Sequence, residues 1–339
     1  MKKQLKTQQE SQKKGGQKEK EQKKAKKKHY KIRNWREYNQ ALVDRGKVTF
    51  WIGEEALKMW EEQLKTGKRG KPRIYSDIAI ETALTVQQVF GLPLRQTEGF
   101  LSDILKKIGS DQKAPDFSTL SIRGKDLSVT IRTRSIKEDP LHIVVDSTGA
   151  KIYGEGEWKV RQHGWSKHRT WRKLHIGIDE STQDILLGEV TGNDMSDGDM
   201  LEPLLKQLPE TTKIDQVSMD GAYDKRKCYE VLQQRNIKNI AIPPQRNAKI
   251  WQHGNTKAEP LSRDENLRQI RKVGRKQWKE EINYHRRSLV ETAMFRLKTI
   301  FTDKVRARTF SNQRIQLLLR CKALNRMTAL GMPMTYVVA

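Results

Sequence analysis

The order of elements after Asp139 constrains this chain most. Leu141–Val145 is a β-branched run that reads as a strand ending at Asp146. Trp171–Ile178 and Ile185–Thr191 flank the turn Asp179–Asp184, as the arms of an antiparallel hairpin would. Asp197 is placed to cap a helix through Gln207, and Ile214–Met219 is a further strand that ends in an aspartate, Asp220. A helix over about Asp224–Arg235 leads to a strand at Asn239–Ile242, stopped by Pro243-Pro244. A polar, irregular stretch then runs to about Lys272, and a long helix covers roughly Arg275–Ile300. Strand, hairpin, helix, strand, helix, strand, helix predicts an α/β mixed sheet with helices on both faces.

That succession is the order of an RNase H-like domain, and it brings carboxylates together. Val144 and Asp146 share one face of their strand because side chains alternate. If the two aspartate-ended strands pair in parallel, Asp146 and Asp220 meet at one end of the sheet, where open sheets carry their sites. Two such carboxylates repel each other, and a cation lets both stay ionised. Mg²⁺ prefers oxygen ligands and few protein contacts. Two such ions, about 3.5–4 Å apart, clamp an in-line displacement at phosphorus. A strand-terminal aspartate alone is more often a cap or a turn former, so the third carboxylate decides.

That third group is Glu291. Tyr284, Arg287, Glu291 and Lys298 fall within an arc of about 60° if their helix is continuous, with Leu289, Ala293, Leu297 and Ile300 on the opposite side. One face then packs on the sheet while the other offers a carboxylate, two cations and a phenol. In this reading Glu291 holds metal, Arg287 grips phosphate oxygens as a fork, and Lys298 supplies a point charge. The plainer alternative is an amphipathic helix with a surface Glu-Lys ladder.

Charge points to the partner. The 339 residues carry a formal net charge of +26, with a pI near 10. An acidic partner is implied, and nucleic acid is the natural one because each neutralised phosphate releases counterions. No apolar run approaches the ~20 residues that span a bilayer. Residues 1–28 hold twelve lysines and three glutamates and almost nothing apolar, so they read as a disordered basic tail. It is either a solubilising segment or a non-specific attractor of DNA. Cys228 and Cys321 form no metal spacing or disulfide framework, which fits a reducing cytosol, and the basic N-terminus lacks the apolar core of a secretory signal.

Residues 29–135 read as mainly helical. The expectations are a short strand at Val48–Ile52, a helix from Glu54, a linker over Lys65–Arg73, and a helix capped by Ser76 that runs to about Phe90. Gly91-Leu92-Pro93 breaks it, a second helix covers about Arg95–Ile108, and Pro115–Thr119 opens a third. Three such helices fit a helix-turn-helix module, with Arg123 and Lys125 on bases or phosphates, and equally an ordinary helical bundle. Between the first two carboxylates, Trp158, Trp165 and Trp171 alternate with lysines and arginines. They suit either base stacking with phosphate contacts or a solvated hairpin with anchoring tryptophans. His163, His168 and His175 lack a zinc pattern. Asp179, Asp194 and Asp199 sit in settings typical of caps and turns.

The spacing Tyr284-x2-Arg287-x3-Glu291-x6-Lys298, with Val145-Asp146-Ser147-Thr148-Gly149 and Met219-Asp220-Gly221-Ala222-Tyr223-Asp224 upstream, resembles the bacterial Asp-Asp-Glu insertion-sequence transposases that carry a Tyr-Arg-Glu-Lys signature. Trp35–Asn39 and Phe50-Trp51-Ile52 also resemble the opening of one subgroup, so the likeness covers about residues 33–333. The resemblance implies an RNase H-like catalytic domain over 136–303 with an irregular insertion near 244–274, a helical DNA-binding region over 29–135 and a C-terminal helical segment over 304–339. It implies Asp146, Asp220 and Glu291 as catalytic ligands of Mg²⁺, with Mn²⁺ as a substitute. Tyr284, Arg287 and Lys298 are implied to touch DNA near the cleavage point. The activity implied is nicking at the terminal inverted repeats of a mobile element and joining of the freed 3′-OH ends to target DNA. The protein would work as a homodimer or higher oligomer on DNA, in the bacterial cytoplasm and away from membranes. Residue chemistry alone reaches metal-dependent phosphodiester chemistry on DNA. A nuclease of the same fold without strand transfer, and a non-catalytic DNA-binding regulator, are the alternatives.

Overall fold

The computed structural model describes residues 29–63, 72–134, 140–152, 171–252 and 260–338. The basic stretch 1–28, most of the expected linker, and Trp158, Trp165, His163 and His168 lie outside the described residues. The chain divides into two compact units, Met1–Gly46 with Gly331–Ala339, and Lys47–Leu330. In the smaller unit, strands His29–Ile32 and Thr335–Val338 pair antiparallel, and the Asn34 amide donates to Met332 O and accepts from Met334 N beside helix Trp35–Asp44.

The larger unit is built on a sheet. Its strands are β1 (Leu141–Ile152), β2 (Trp171–Asp179), β3 (Ile185–Thr191), β4 (Ile214–Ser218), β5 (Asn239–Ala241) and β6 (Lys304–Val305). The order across the sheet is β3-β2-β1-β4-β5, with β6 beside the far end of β1. The β1–β2 and β2–β3 pairs are antiparallel, while β4 pairs in parallel with both β1 and β5. This six-stranded mixed sheet is consistent with the expected RNase H-like class. One expectation fails: Asp146 does not end its strand. The parallel partner β4 leaves after Val144↔Ser218, but the hairpin partner β2 keeps pairing to Lys151↔Trp171, so β1 runs on to Ile152.

Helices cover both faces because alternate residues of β1 feed two cores. Ile143 and Val145 pack with Leu201, Leu204, Tyr229 and Leu232. Val144, Ile176 and Ile178 pack with α1 (Asp77–Phe90), α2 (Leu94–Lys107) and α3 (Phe117–Gly124). They also meet α4 (Ser288–Phe301) and α5 (Phe310–Leu330). The expected boundary near residue 135 therefore does not separate two cores: Ile80, Ala83 and Leu120 belong to the same apolar cluster as Val144 and Ile176. Nor is the segment after 304 an appendage. In α5, Leu317, Leu318, Leu319, Cys321, Ala323, Leu324 and Met327 are all buried, and a helix apolar around most of its girth must be enclosed.

Local signals explain the first three helices. Ser76 Oγ accepts from Ala79 N at 3.1 Å, Gly91 closes α1 with φ 66°, and Asp116 accepts from Ser118 N and Thr119 N at the start of α3. Other expectations are corrected. Val48–Trp51 is a helical turn, not a strand, with Trp51 buried in the core; a short apolar run carries no period that separates the two. Ser262–Val273 is a helix where an irregular stretch is expected, because its buried side chains include Arg263 and Asp264, which leave no hydrophobic stripe. The long helix is broken: Arg275–Glu281 ends at Asn283 in the left-handed region (φ 54°), a 3-10 turn spans Tyr284–Arg287, and α4 follows. Asp197 is not a side-chain cap but the first residue of the 3-10 turn Asp197–Met200 that leads into helix Leu201–Leu205.

Asn325 of α5 joins these layers. Its buried amide donates to Ile131 O at 3.1 Å and Ile185 O at 2.8 Å, and accepts from Ile185 N at 2.8 Å. Replacing it with leucine strands three buried backbone groups, at about 1–3 kcal/mol for each left unpaired. Asn325→Leu is expected to lower unfolding free energy by about 3 kcal/mol or more in urea titration, whereas exposed Lys298→Ala should leave it within about 0.5 kcal/mol.

Candidate active site

The parallel pairing of β1 with β4 ends at Val144↔Ser218, and Asp146 and Asp220 each follow two residues beyond it, near enough for the charge of Asp220 to act on Asp146. Asp220 sits at the head of the 3-10 turn Gly221–Tyr223, where its carboxylate accepts from Ala222 N at 2.8 Å. Asp146 is held by its neighbour's backbone, Ser147 N donating to Oδ1 at 2.8 Å.

Glu291 arrives on the first full turn of α4. Val290, Ala293, Met294, Leu297 and Phe301 are the buried side of that helix, at helical spacing, and fix it on the sheet. Ile300, expected on this apolar side, is 37% exposed. The turn before α4 is pinned at several points. Gln216 Nε2 of β4 donates to Ile282 O at 3.0 Å, Arg286 pairs with Glu180 after β2, and Arg287 reaches the carboxylates.

Arg287 is the centre of the arrangement. One nitrogen of its guanidinium donates to Asp146 Oδ2 at 3.0 Å and another to the Glu291 carboxylate, so a single cation bridges the first and third acidic groups. Burial raises the Asp146 carboxyl above the ordinary aspartate range, and the charges of Asp220 and Glu291 add to that rise, while Ser147 N and Arg287 oppose it. Burial lowers the Arg287 pKa, but Tyr284, Glu291 and Asp146 outweigh it and the net shift is upward. Tyr284 is buried, its ring 6.2 Å from that of Trp278, with Lys279 Nζ 4.9 Å from its centre. Desolvation raises the Tyr284 phenol, and Asp220 and Asp146 add to the rise.

Among the described residues no group of three or more histidine, cysteine, aspartate or glutamate side chains is set to hold a metal ion. The donor chemistry nevertheless fits a hard divalent cation, because the groups on Arg287 are carboxylate oxygens. Mg²⁺ needs only one or two protein carboxylates.

The other expected residues are placed as follows. Lys298 is exposed two turns beyond Glu291. Arg123 donates to Tyr75 O at 2.8 Å and pairs with Asp77, its side chain 10% exposed, so its placement gives an expected base contact no support. Lys125 at the end of α3 is exposed. Trp171 lies across Gly149 of β1, where a Cβ would meet its ring at 3.2 Å, and Lys151 Nζ is 5.7 Å from the ring centre. His175 is fully buried, with Nε2 2.9 Å from Thr191 Oγ1 and Nδ1 3.4 Å from Asp197, which also pairs with Lys173 at 2.9 Å. Asp179 accepts from Ser181 N and Thr182 N as a turn former.

Sequence reasoning missed a buried clamp behind Asp220. Arg263 Nε donates to Asp224 at 2.7 Å, its Nη1 to Lys249 O at 2.9 Å, and its guanidinium carbon is 3.7 Å from the centre of the Trp251 ring. Asp264 accepts from Trp251 N and Gln252 N. The clamp fixes the turn that carries Asp220 to the loop after β5, and the only trace of it in the sequence is an Arg-Asp pair in a polar stretch.

With a metal chelator present, Asp146→Asn should stabilise the protein near neutral pH. The folded-state pKa of Asp146 is raised, so the protonated group favours folding below the unfolded pKa and that stability is lost as pH rises through the folded value. The neutral amide removes the loss. Thermal melts across pH should therefore show a gain near neutrality that vanishes in acid; a pH-independent difference would reject the assignment of cause.

Two family models, each described as a transposase DDE domain, match the chain, one over residues 43–155 and one over 137–326. An uncharacterized protein of Aquifex aeolicus is 27% identical over 159 residues, which are 42% of this chain and 47% of that protein. The chain thus spans about half the length of this curated relative.

Proposed function

The chain belongs to the DDE transposase family, and we propose that it nicks DNA at the terminal inverted repeats of an insertion element and joins the 3′-OH ends to target DNA. The observation that carries this reading is the meeting of Asp146 and Glu291 on Arg287, with Asp220 near enough for its charge to act on Asp146. The Tyr284-Arg287-Glu291-Lys298 spacing supports the same subgroup.

Asp146, Asp220 and Glu291 would hold the divalent ions, which supply Lewis-acid stabilisation of charge at phosphorus. Arg287 pairs with Asp146 and Glu291, and its guanidinium has the fork geometry that would take phosphate oxygens in bidentate fashion. Tyr284, wedged by Trp278, keeps the turn before α4 rigid and so sets where Arg287 and Glu291 point. Lys298 offers a point charge to the backbone farther along α4. The exposed Lys106 and Lys107 of α2 and Lys125 after α3 would add to the positive field that attracts DNA.

Asp146→Asn, Asp220→Asn and Glu291→Gln are each expected to abolish nicking of supercoiled plasmid in Mg²⁺ or Mn²⁺ while gel-shift affinity for element ends stays within about twofold. Loss of DNA binding by a folded variant would count against metal ligation. Joined product from pre-nicked ends is expected from the wild type, and its absence alongside normal nicking would mark a nuclease without strand transfer.

A further inference from the structure

Beside the C-terminal end of α4 lies a groove of about 930 Å³, walled by α1, α3, α5 and the segment 300–309. Its walls are largely apolar, with Phe90, Leu92 and Leu319 among them, and three arginines, Arg306, Arg308 and Arg320, line it. Among the described residues no aspartate or glutamate does. Arg320 is the unusual member. It is 6% exposed, yet its contacts are to neutral acceptors: Nε donates to Gln88 Oε1 at 2.9 Å and Nη1 to Thr302 O at 3.3 Å. Burial, and then the like charge of Arg306, press its pKa down to about 10. A guanidinium enclosed without a carboxylate partner is costly unless an anion completes it.

We propose that this groove is a subsite for one nucleotide of the bound DNA strand, with its phosphate on Arg320 and Arg306 and its apolar sugar and base faces against the groove wall. The proposal rests on DNA being the substrate, as argued above. The anion it needs is a phosphodiester because the two requirements coincide in one ligand: negative charge for the arginines and a flat apolar body for the wall. Thr302 stands eleven residues after Glu291, about 16 Å along the helix at ~1.5 Å per residue. For a strand laid along α4 at ~3.4 Å per nucleotide, the seated nucleotide lies about five steps from the cleaved phosphate.

The competing account makes Arg320 a strut that ties the end of α4 to α1. Gln88→Glu separates the two in the full-length protein. A carboxylate at this position pairs with Arg320 internally and repels a phosphate. The subsite requires that Gln88→Glu melts at the same or higher temperature, binds element-end DNA about tenfold more weakly, and shows a salt slope lower by about one. A neutral methylphosphonate about five steps from the cleavage point should weaken wild-type binding and have no effect on Gln88→Glu. If Gln88→Glu melts higher but binds as the wild type does with an unchanged slope, Arg320 is a strut and the proposal is overturned. Should that variant misfold, Arg306→Gln, altered at an exposed side chain, carries the same test: its salt slope must fall by about one. A wild type that nicks DNA normally while both variants match it rejects the groove alone. A wild type that binds no DNA rejects the transposase reading together with the groove.

Discussion

The charges of Asp220 and Glu291 both press on the buried Asp146 carboxyl, and the fold must answer that repulsion. Here the answer is Arg287. Its two donor nitrogens lie on Asp146 and Glu291, so the residue that joins the strand to the helix is also the counter-charge of the site. The planar guanidinium directs its charge to both partners at once. The break at Asn283 sets off the turn that carries Arg287. A helix continuous from Arg275 would present Arg287 by helical geometry alone, whereas the 3-10 turn is anchored separately by Gln216, Arg286 and the Trp278–Tyr284 pair.

The same demand shows which parts of the site the sequence reveals. Asp146, Asp220 and Glu291 stand out in the sequence because a β-branched run before each aspartate and a fixed spacing are local signals, although β1 does not end at Asp146. The parallel pairing of β1 with β4 is a long-range contact that local pattern does not contain. Arg287 is legible as a cation but not as an intramolecular bridge, since the spacing to Glu291 speaks of a shared face and says nothing of Asp146, 141 residues away. The Arg263–Asp224–Asp264 clamp is hidden for a different reason. Its buried groups are charged, so it erases the hydrophobic period by which the helix Ser262–Val273 would be recognised.

The order of the sheet strands and the first three helices are read correctly because caps, glycines and alternation act over a few residues. The failures are of tertiary origin. β1 continues past Asp146 because β2 pairs with it for five residues more, and Val48–Trp51 coils because Trp51 must enter a core. The packing of the helices before residue 135 against the sheet is of the same tertiary origin. Nothing in the helices before residue 135 announces that Ile80 and Leu120 share a cluster with Val144, since a buried stripe looks alike whether its partner is another helix or a sheet.

That shared core bears on how any DNA-binding by the helices would couple to the chemistry. Ala79 of α1 and Leu105 of α2 form a small cluster with Trp60, but most apolar residues of α1 to α3 pack in one cluster with those of α4 and α5. Close-packed interiors transmit displacement rather than absorb it. A load on α3 or on the groove between α1 and α5 is therefore felt at α4, the helix that carries Glu291, through Leu297, Phe301 and Ile315. In the described residues the groove between α1 and α5 and the helix that carries Glu291 are therefore positioned by the same packed core.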